Sequence, residues 1–269
     1  SLGGKYRGAL TGNAHMTGTL AKGRVTLTAQ GQGLRVGQAQ ADKLLTGTSV
    51  LGLDMALDSG ALRIERASLR NPQLEAEATG LVQGDQQKLD LTAKLTNLAL
   101  LLPDFPGVLS VAGTAVQDKA GLQLDLTGKG PGQINATVKG RIAPGFSSAD
   151  LAIKGTAQAA LANAFIAPRA ISGALRFDLK MKGPLALTSL SGPITLAEGR
   201  LADPTLHFAF QAITAKADLS GGRAVIASTM QVSSGGQISL NGTASLAAPF
   251  NGDLAVDINR ATLRDPDLY

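Results

Sequence analysis

Apolar residues recur at every second position through most of this chain, and that period constrains the fold more than any other feature. In Leu89-Asp90-Leu91-Thr92-Ala93-Lys94-Leu95 the odd positions are apolar and the even ones are Asp, Thr and Lys. Successive side chains of a β-strand point to opposite faces, so this pattern makes a strand with one oily and one wet face. Leu122 to Leu126 repeats it, as do Leu175, Phe177, Leu179 and Met181 between Arg176, Asp178 and Lys180, and Leu254, Val256 and Ile258 between Ala255, Asp257 and Asn259. The chain is therefore expected to be all-β.

Turn signals separate the alternating stretches: Gly130-Pro131-Gly132, Ser220-Gly221-Gly222, Ser234-Gly235-Gly236 and Asn251-Gly252. Such residues accept positive φ or a preset bend and close hairpins, which predicts an antiparallel meander. One phrase, Leu-x-Asn/Asp-Pro-x-Leu, occurs at Leu69–Leu74, Leu201–Leu206 and Leu263–Leu268. An Asx-Pro step lacks a ladder donor and extends the preceding residue, so the phrase reads as a jog between two halves of a strand. Two segments break the pattern. Ala157 to Phe165 has helical composition and runs into Ala167-Pro168, which predicts a short helix near 157–166. Leu98 to Gly107 sets an apolar run against Pro103 and Pro106, which predicts a lid or plug-like connection.

Composition removes several functions. With no cysteine, the chain has no disulfide framework, thiol nucleophile or Cys-based metal site, a usage compatible with a bacterial envelope. The formal charge is +5, but the cations stand singly, as at Lys22, Arg24, Lys139 and Arg141, and aromatic residues are only 3%. A nucleic-acid surface gathers cations and interleaves them with stacking rings, so no nucleic-acid partner is expected. The two histidines, His15 and His207, are far apart and read as structural. No phosphate loop, nucleophile elbow, zinc motif or calcium loop is present. Asp203 and Asp265 each open an Asx-Pro bend, which accounts for them without catalysis. No enzyme activity, cofactor, metal or catalytic residue is expected. No run of about 18 apolar residues offers a spanning helix. Without an initiator Met or signal pattern, the chain is expected to be a piece of a longer protein anchored upstream of Ser1.

Function then has to reside in a surface, and the surface on offer is the continuous apolar face. In one outcome the sheet closes into a barrel or sandwich and that face becomes a core. In the other, an open or half-open curved sheet lines a groove for long hydrocarbon tails. A lining of Leu, Ala, Val and Ile with few rings suits flexible acyl chains. Alternation nominates Leu175, Phe177, Leu179, Met181, Leu206, Phe208, Phe210, Ile226, Met230, Ile238, Leu240, Leu254, Val256 and Ile258 as groove positions.

Three phrases carry a resemblance: Leu95 to Gly107 (LTNLALLLPDFPG), Ile171-Ser172-Gly173-Ala174-Leu175 leading to Gly183-Pro184, and Ser191 to Leu201 (SGPITLAEGRL), with Asp265-Pro266-Asp267-Leu268-Tyr269 in keeping. Here the chain resembles the C-terminal part of the TamB family within the AsmA-like group. The resemblance runs from about Leu89 onward, while residues 1–88 match in style only. It implies a long antiparallel sheet folded over as a β-taco with a hydrophobic groove. It also implies a periplasmic place in a Gram-negative bacterium, phospholipid transport between the two membranes, support of outer-membrane protein assembly, and a TamA-like outer-membrane β-barrel as partner. No motif transfers a role to an individual residue. Two rivals remain: a chaperone that pairs unfolded outer-membrane strands with a sheet edge, and a closed structural β-domain.

Overall fold

Alternation of apolar with polar residues, rich in Val, Ile and Thr, is satisfied only when strands lie side by side with their oily faces aligned. In the computed structural model, which describes residues 7–19, 21–37, 39–101, 105–204 and 208–260, the chain does this through two successive antiparallel meanders. They belong to two compact units, Ser1–Pro131 and Gly132–Tyr269.

The first unit contains β1 (Arg7–Gly18), β2 (Lys22–Arg35), β3 (Thr48–Asp58), β4 (Ala61–Arg70), β5 (Leu74–Gln83), β6 (Gln86–Leu95), β7 (Leu109–Asp118) and β8 (Gly121–Gly130). Each strand pairs with the next in sequence. Among the described residues no ladder joins β1 to β8, so the sheet is open. Its two ends differ. The connections after β1, β3, β5 and β7 are two or three residues long, whereas those after β2 and β6 span 36–47 and 96–108.

The longer connections carry the helical turns. Helix α1 (Ala39–Leu44) follows β2 and was not expected from sequence. The Asp42 carboxylate accepts from the Val36 N–H at 2.7 Å, folding the connection back on itself. After β6, a 3₁₀ turn spans Leu98–Leu100 where the lid was expected. The Leu98 N–H donates to the Gly107 carbonyl at 2.7 Å, and Asn97 Oδ1 accepts from the Ala99 and Gly107 N–H groups, both at 3.1 Å. This closes the neck of the loop and leaves Leu98 buried.

The Leu-x-Asx-Pro-x-Leu phrase is not a jog. At Leu69–Leu74 it is the hairpin turn joining β4 to β5, with Arg70 facing Glu75. Asn71 Oδ1 accepts from the Gln73 N–H at 2.9 Å and the Leu74 N–H at 2.7 Å, closing the reversal within three residues. Its Nδ2 donates to the Leu44 carbonyl at 2.8 Å and Ser49 Oγ at 3.2 Å, tying the end of α1 to this turn. Asn71→Ala removes all four bonds and is expected to lower stability by about 2–3 kcal/mol. Asn71→Asp keeps the acceptor and should recover roughly half of that loss, as read from urea midpoints.

The second unit contains β9 (Ile134–Ile142), β10 (Ala149–Gln158), β11 (Ala170–Gly183), β12 (Leu190–Asp203), β13 (Phe208–Ser220), β14 (Arg223–Val232), β15 (Gln237–Ser245) and β16 (Gly252–Asn259), again paired in order. Gly221 and Gly222, with φ of 56° and 76°, make the two-residue turn between β13 and β14 that the sequence announced. Two positive φ angles in succession match the twist of a tight hairpin. Ser234-Gly235-Gly236 also lies in a hairpin connection, between β14 and β15. Asn251-Gly252 does not form its turn: Gly252 already belongs to β16, and the reversal is made by residues 246–251, with the Ser245 N–H donating to the Asn251 carbonyl at 2.7 Å.

The Asx-Pro phrase at Asp203-Pro204 likewise ends β12, and Asp203 pairs in register with Phe208 of β13. The third copy, at 263–268, lies outside the described residues. The expected helix is shorter than its composition suggests. Ala157 and Gln158 stay in β10, paired with Leu175 and Ala174, and only then do a 3₁₀ turn (Ala159–Ala162) and helix α2 (Asn163–Ile166) follow. Ladder hydrogen bonds outweigh local helix preference at those two positions. Register shifts at Ser172/Ala174 in β11, near Gly199 in β12 and at Gln211/Thr214 in β13 fall side by side. Aligned bulges bend the sheet there.

Candidate functional site

Register converts the strand patterns into a surface. In the first unit Ala14, Leu27, Leu53, Ala67, Ala78, Leu91, Gly113 and Leu126 face one another in one row across all eight strands. The next row includes Ala29, Leu51, Leu69, Ala76, Ala93 and Val111. Where the rows cross β4, β5 and β6, alanines gather: Ala67 faces Ala78, and Ala76 faces Ala93. Leu27, Leu51, Leu53, Leu69 and Leu91 stand around them. The result is a concavity of about 530 Å³ with an alanine floor and leucine walls. That volume falls within the range of small-molecule and lipid sites.

None of these residues is among the nominated groove positions, all of which lie from Leu175 onward. The signal was present, since the same alternation runs through β2 to β6. What a single strand's pattern lacks is its neighbours, and only register shows that four alanines meet.

In the second unit a row of Ala136, Gly155, Phe177, Ile194, Ala217, Ile226, Gly242 and Leu254 crosses all eight strands. The Phe177 ring lies over Gly155, where an added Cβ would come within 2.7 Å of Phe177 Cζ. Two clusters occupy this face. Around Ala159, Leu196 and Ile213 pack Leu175, Phe210 and Met230. Around Leu179, Leu219 and Ala224 pack Phe177 and Ile226, with Leu246 reaching in from the last hairpin connection.

Six nominated positions therefore contribute to packed clusters. Met181 continues the β11 face opposite Leu151 and Leu190. Ile238 and Leu240 carry the face into β15, opposite Ile258 and Val256. On the edge strand β16, Leu254, Val256 and Ile258 keep 55%, 57% and 61% of their surface exposed. Phe208 sits in β13 by its backbone, and Leu206 lies outside the described residues.

The apolar faces are covered only in part. The accessible surface is 16,780 Å² for a 27.4 kDa chain. Two compact bodies of half that mass would together expose about 13,000 Å².

The opposite faces hold the charge. Arg24 Nε donates to Asp54 Oδ1 at 2.8 Å, and its Nη2 reaches Glu65 at 3.0 Å. Arg66 and Arg70 share Glu77 at 2.6 and 2.9 Å. The hydrogen bond from Arg24 holds the Asp54 carboxyl below its usual range, and that from Arg66, aided by the charge of Arg66 and by Arg70, does the same for Glu77. All are solvent-exposed, so they set the outward side of the sheet more than its stability.

His15 and Asp203 belong to different units. His15 lies on the exposed edge strand β1 opposite Thr26. Asp203 is buried and accepts from Arg169 Nε at 2.6 Å, linking the segment after α2 to the end of β12. His207 and Asp265 lie outside the described residues. Among the described residues no three His, Asp or Glu side chains converge as a metal site would require, and no helix is long and apolar enough to cross a membrane.

Comparison with protein-family models, curated proteins and solved structures returns no match.

Proposed function

We propose that the chain is a periplasmic segment of a TamB-like protein whose apolar sheet face accommodates acyl chains of phospholipids. The concavity floored by Ala67, Ala76, Ala78 and Ala93 carries this reading. Its lining is mostly leucine and alanine, joined by Gly52, Ser68, Glu77 and Thr92, and it stays open where a globular protein would bury such apolar residues. An exposed methylene costs about 0.8 kcal/mol in water, so a chain of 16 carbons faces roughly 13 kcal/mol. A trough of leucine and alanine removes most of that cost, and no catalytic group is needed. The TamB-like phrases support the same reading and suggest transport between inner and outer membranes with a TamA-like barrel as partner.

Native mass spectrometry of the chain purified gently from a bacterial periplasm, coupled to lipid extraction, tests it. Co-purifying phospholipid at near one molecule per chain or more is the expected result. A folded chain free of lipid would sink the proposal.

A second reading rests on β16. Its outer edge has no partner among the described residues, and three exposed apolar side chains continue the oily face. A client strand added there would gain both ladder bonds and apolar contacts. Binding of an alternating outer-membrane peptide that survives charges in the leucine-walled concavity would favour it.

A further inference from the structure

On the polar face of the first unit, Arg70, Glu75, Lys94, Ser110 and Lys129 lie in register on five successive strands. The neighbouring row brings Glu77, Thr92 and Thr127 beside them. Together they line a second concavity, of about 510 Å³. A twisted sheet is a saddle, and each of its faces is hollow along one diagonal, so the wet side can hold a ligand as well as the oily side.

Among the described residues of this unit some cations end on carboxylates and others, Arg63, Lys88, Lys94 and Lys129 among them, do not. Arg66 and Arg70 end on Glu77, Arg24 on Asp54 and Glu65, and Lys154 on Asp178 at 2.8 Å. Lys94 and Lys129 have no such partner among the described residues, and neither do the hydroxyls of Ser110 and Thr92. Thr127 donates to the Ala112 carbonyl at 3.2 Å and offers only acceptor capacity. Strands two apart are separated by about 10 Å, which each lysine's long side chain can halve. Two ammonium groups left unpaired across a small serine repel one another, and a divalent oxyanion between them turns that repulsion into attraction.

We propose that Lys94 and Lys129, with the Ser110 hydroxyl between them, form a binding site for a phosphoryl group. The three donors suit a tetrahedral anion, each ammonium acting as a mobile point charge and the serine supplying a neutral donor at the centre. Glu75, next to Lys94 in the same row, opposes the anion and sets a test of sign. The site lies on the face opposite the leucine-walled concavity and does not depend on acyl-chain binding.

The full chain is titrated with inorganic phosphate while amide chemical shifts are followed. Saturable shifts are expected at Lys94, Ser110 and Lys129, with affinity about fivefold weaker in Lys94→Gln and in Lys129→Gln. Glu75→Gln should bind more tightly than the parent, and Lys180→Gln, which removes a cation on the second unit with no ion-pair partner among the described residues, should match the parent. No saturable shift, or equal affinity in the three lysine variants, overturns the proposal unless vesicle binding carries the same pattern. For that arm, sedimentation with phosphatidylglycerol vesicles is compared with phosphatidylcholine vesicles. Retention by phosphatidylglycerol alone, lost in Lys94→Gln and Lys129→Gln, assigns the phosphoryl group to a lipid headgroup. Phosphate saturation without vesicle retention assigns it to a soluble phosphate-bearing compound. Absence of both sinks it. Extracted lipid is read separately, so this site and the acyl-chain proposal fail independently.

Discussion

Gly113→Val is expected to destabilise the first unit by about 3–5 kcal/mol, enough to unfold much of a marginally stable sheet. Two effects act together. Gly113 has φ of +149°, a conformation that β-branched residues rarely adopt, and a Cβ added there would lie 2.1 Å from the Asp125 carbonyl oxygen and 2.9 Å from Leu126 Cα. Both are backbone atoms of the adjacent strand, so no side chain can turn aside to relieve the clash. The strands would have to part, breaking ladder bonds between β7 and β8. Gly128→Val, on β8, provides the comparison: its added Cβ would meet no atom closer than 3.7 Å and its φ is not positive. That change should cost no more than about 1 kcal/mol. Urea unfolding followed by circular dichroism separates the two, and similar midpoints would show that β7 and β8 are not packed this closely.

The role of Gly113 is invisible in the sequence, because glycine there simply continues an apolar alternation. The alternation itself was legible and sufficient for fold class: Leu89 to Leu95 and Leu122 to Leu126 are strands with the predicted faces. Tight turns were legible where two residues alone make the reversal, as at Gly221-Gly222. The Asx-Pro phrase reads as a jog because its proline lacks a ladder donor. The conformation is set instead by Asn71 Oδ1 accepting two N–H groups, which turns the chain back at once. Helix α1 leaves no mark in the sequence because Ala39–Leu44 is too short for a helical period.

The candidate site was legible by half. The existence of an oily face followed from period two, but where that face is filled and where it is hollow depends on which residues meet across strands. On β11 and β12 large residues meet large ones, Leu175 facing Leu196 and Phe177 facing Ile194, and with Leu179, Phe210, Ile226 and Met230 they fill the space over that face. On β4 to β6 alanine meets alanine. Register therefore decides whether a given leucine walls a cavity or plugs one, and no single strand encodes it.

Leu53→Asp is expected to reduce co-purifying lipid at least tenfold. Leu53 lines the concavity beside Ala67, in the row that runs from Leu27 to Leu91. A carboxylate there keeps its water, and displacing that water by methylenes costs several kcal/mol without a compensating hydrogen bond, which outweighs the gain from a few buried methylenes. The residue is half-buried in a cavity wall, so the charge can stay solvated in the lipid-free protein and the sheet should still form. Leu53→Ala tests the same position without charge: it widens the hollow and should retain lipid. Leu240→Asp, on the second unit's face, and Lys180→Asp, on a polar face, complete the series. If lipid is lost in Leu240→Asp but kept in Leu53→Asp, the acyl chains lie on the second unit and the leucine-walled hollow is not the site. If Lys180→Asp removes lipid as fully as the other two, charge on either face suffices and the apolar face has no special part in binding.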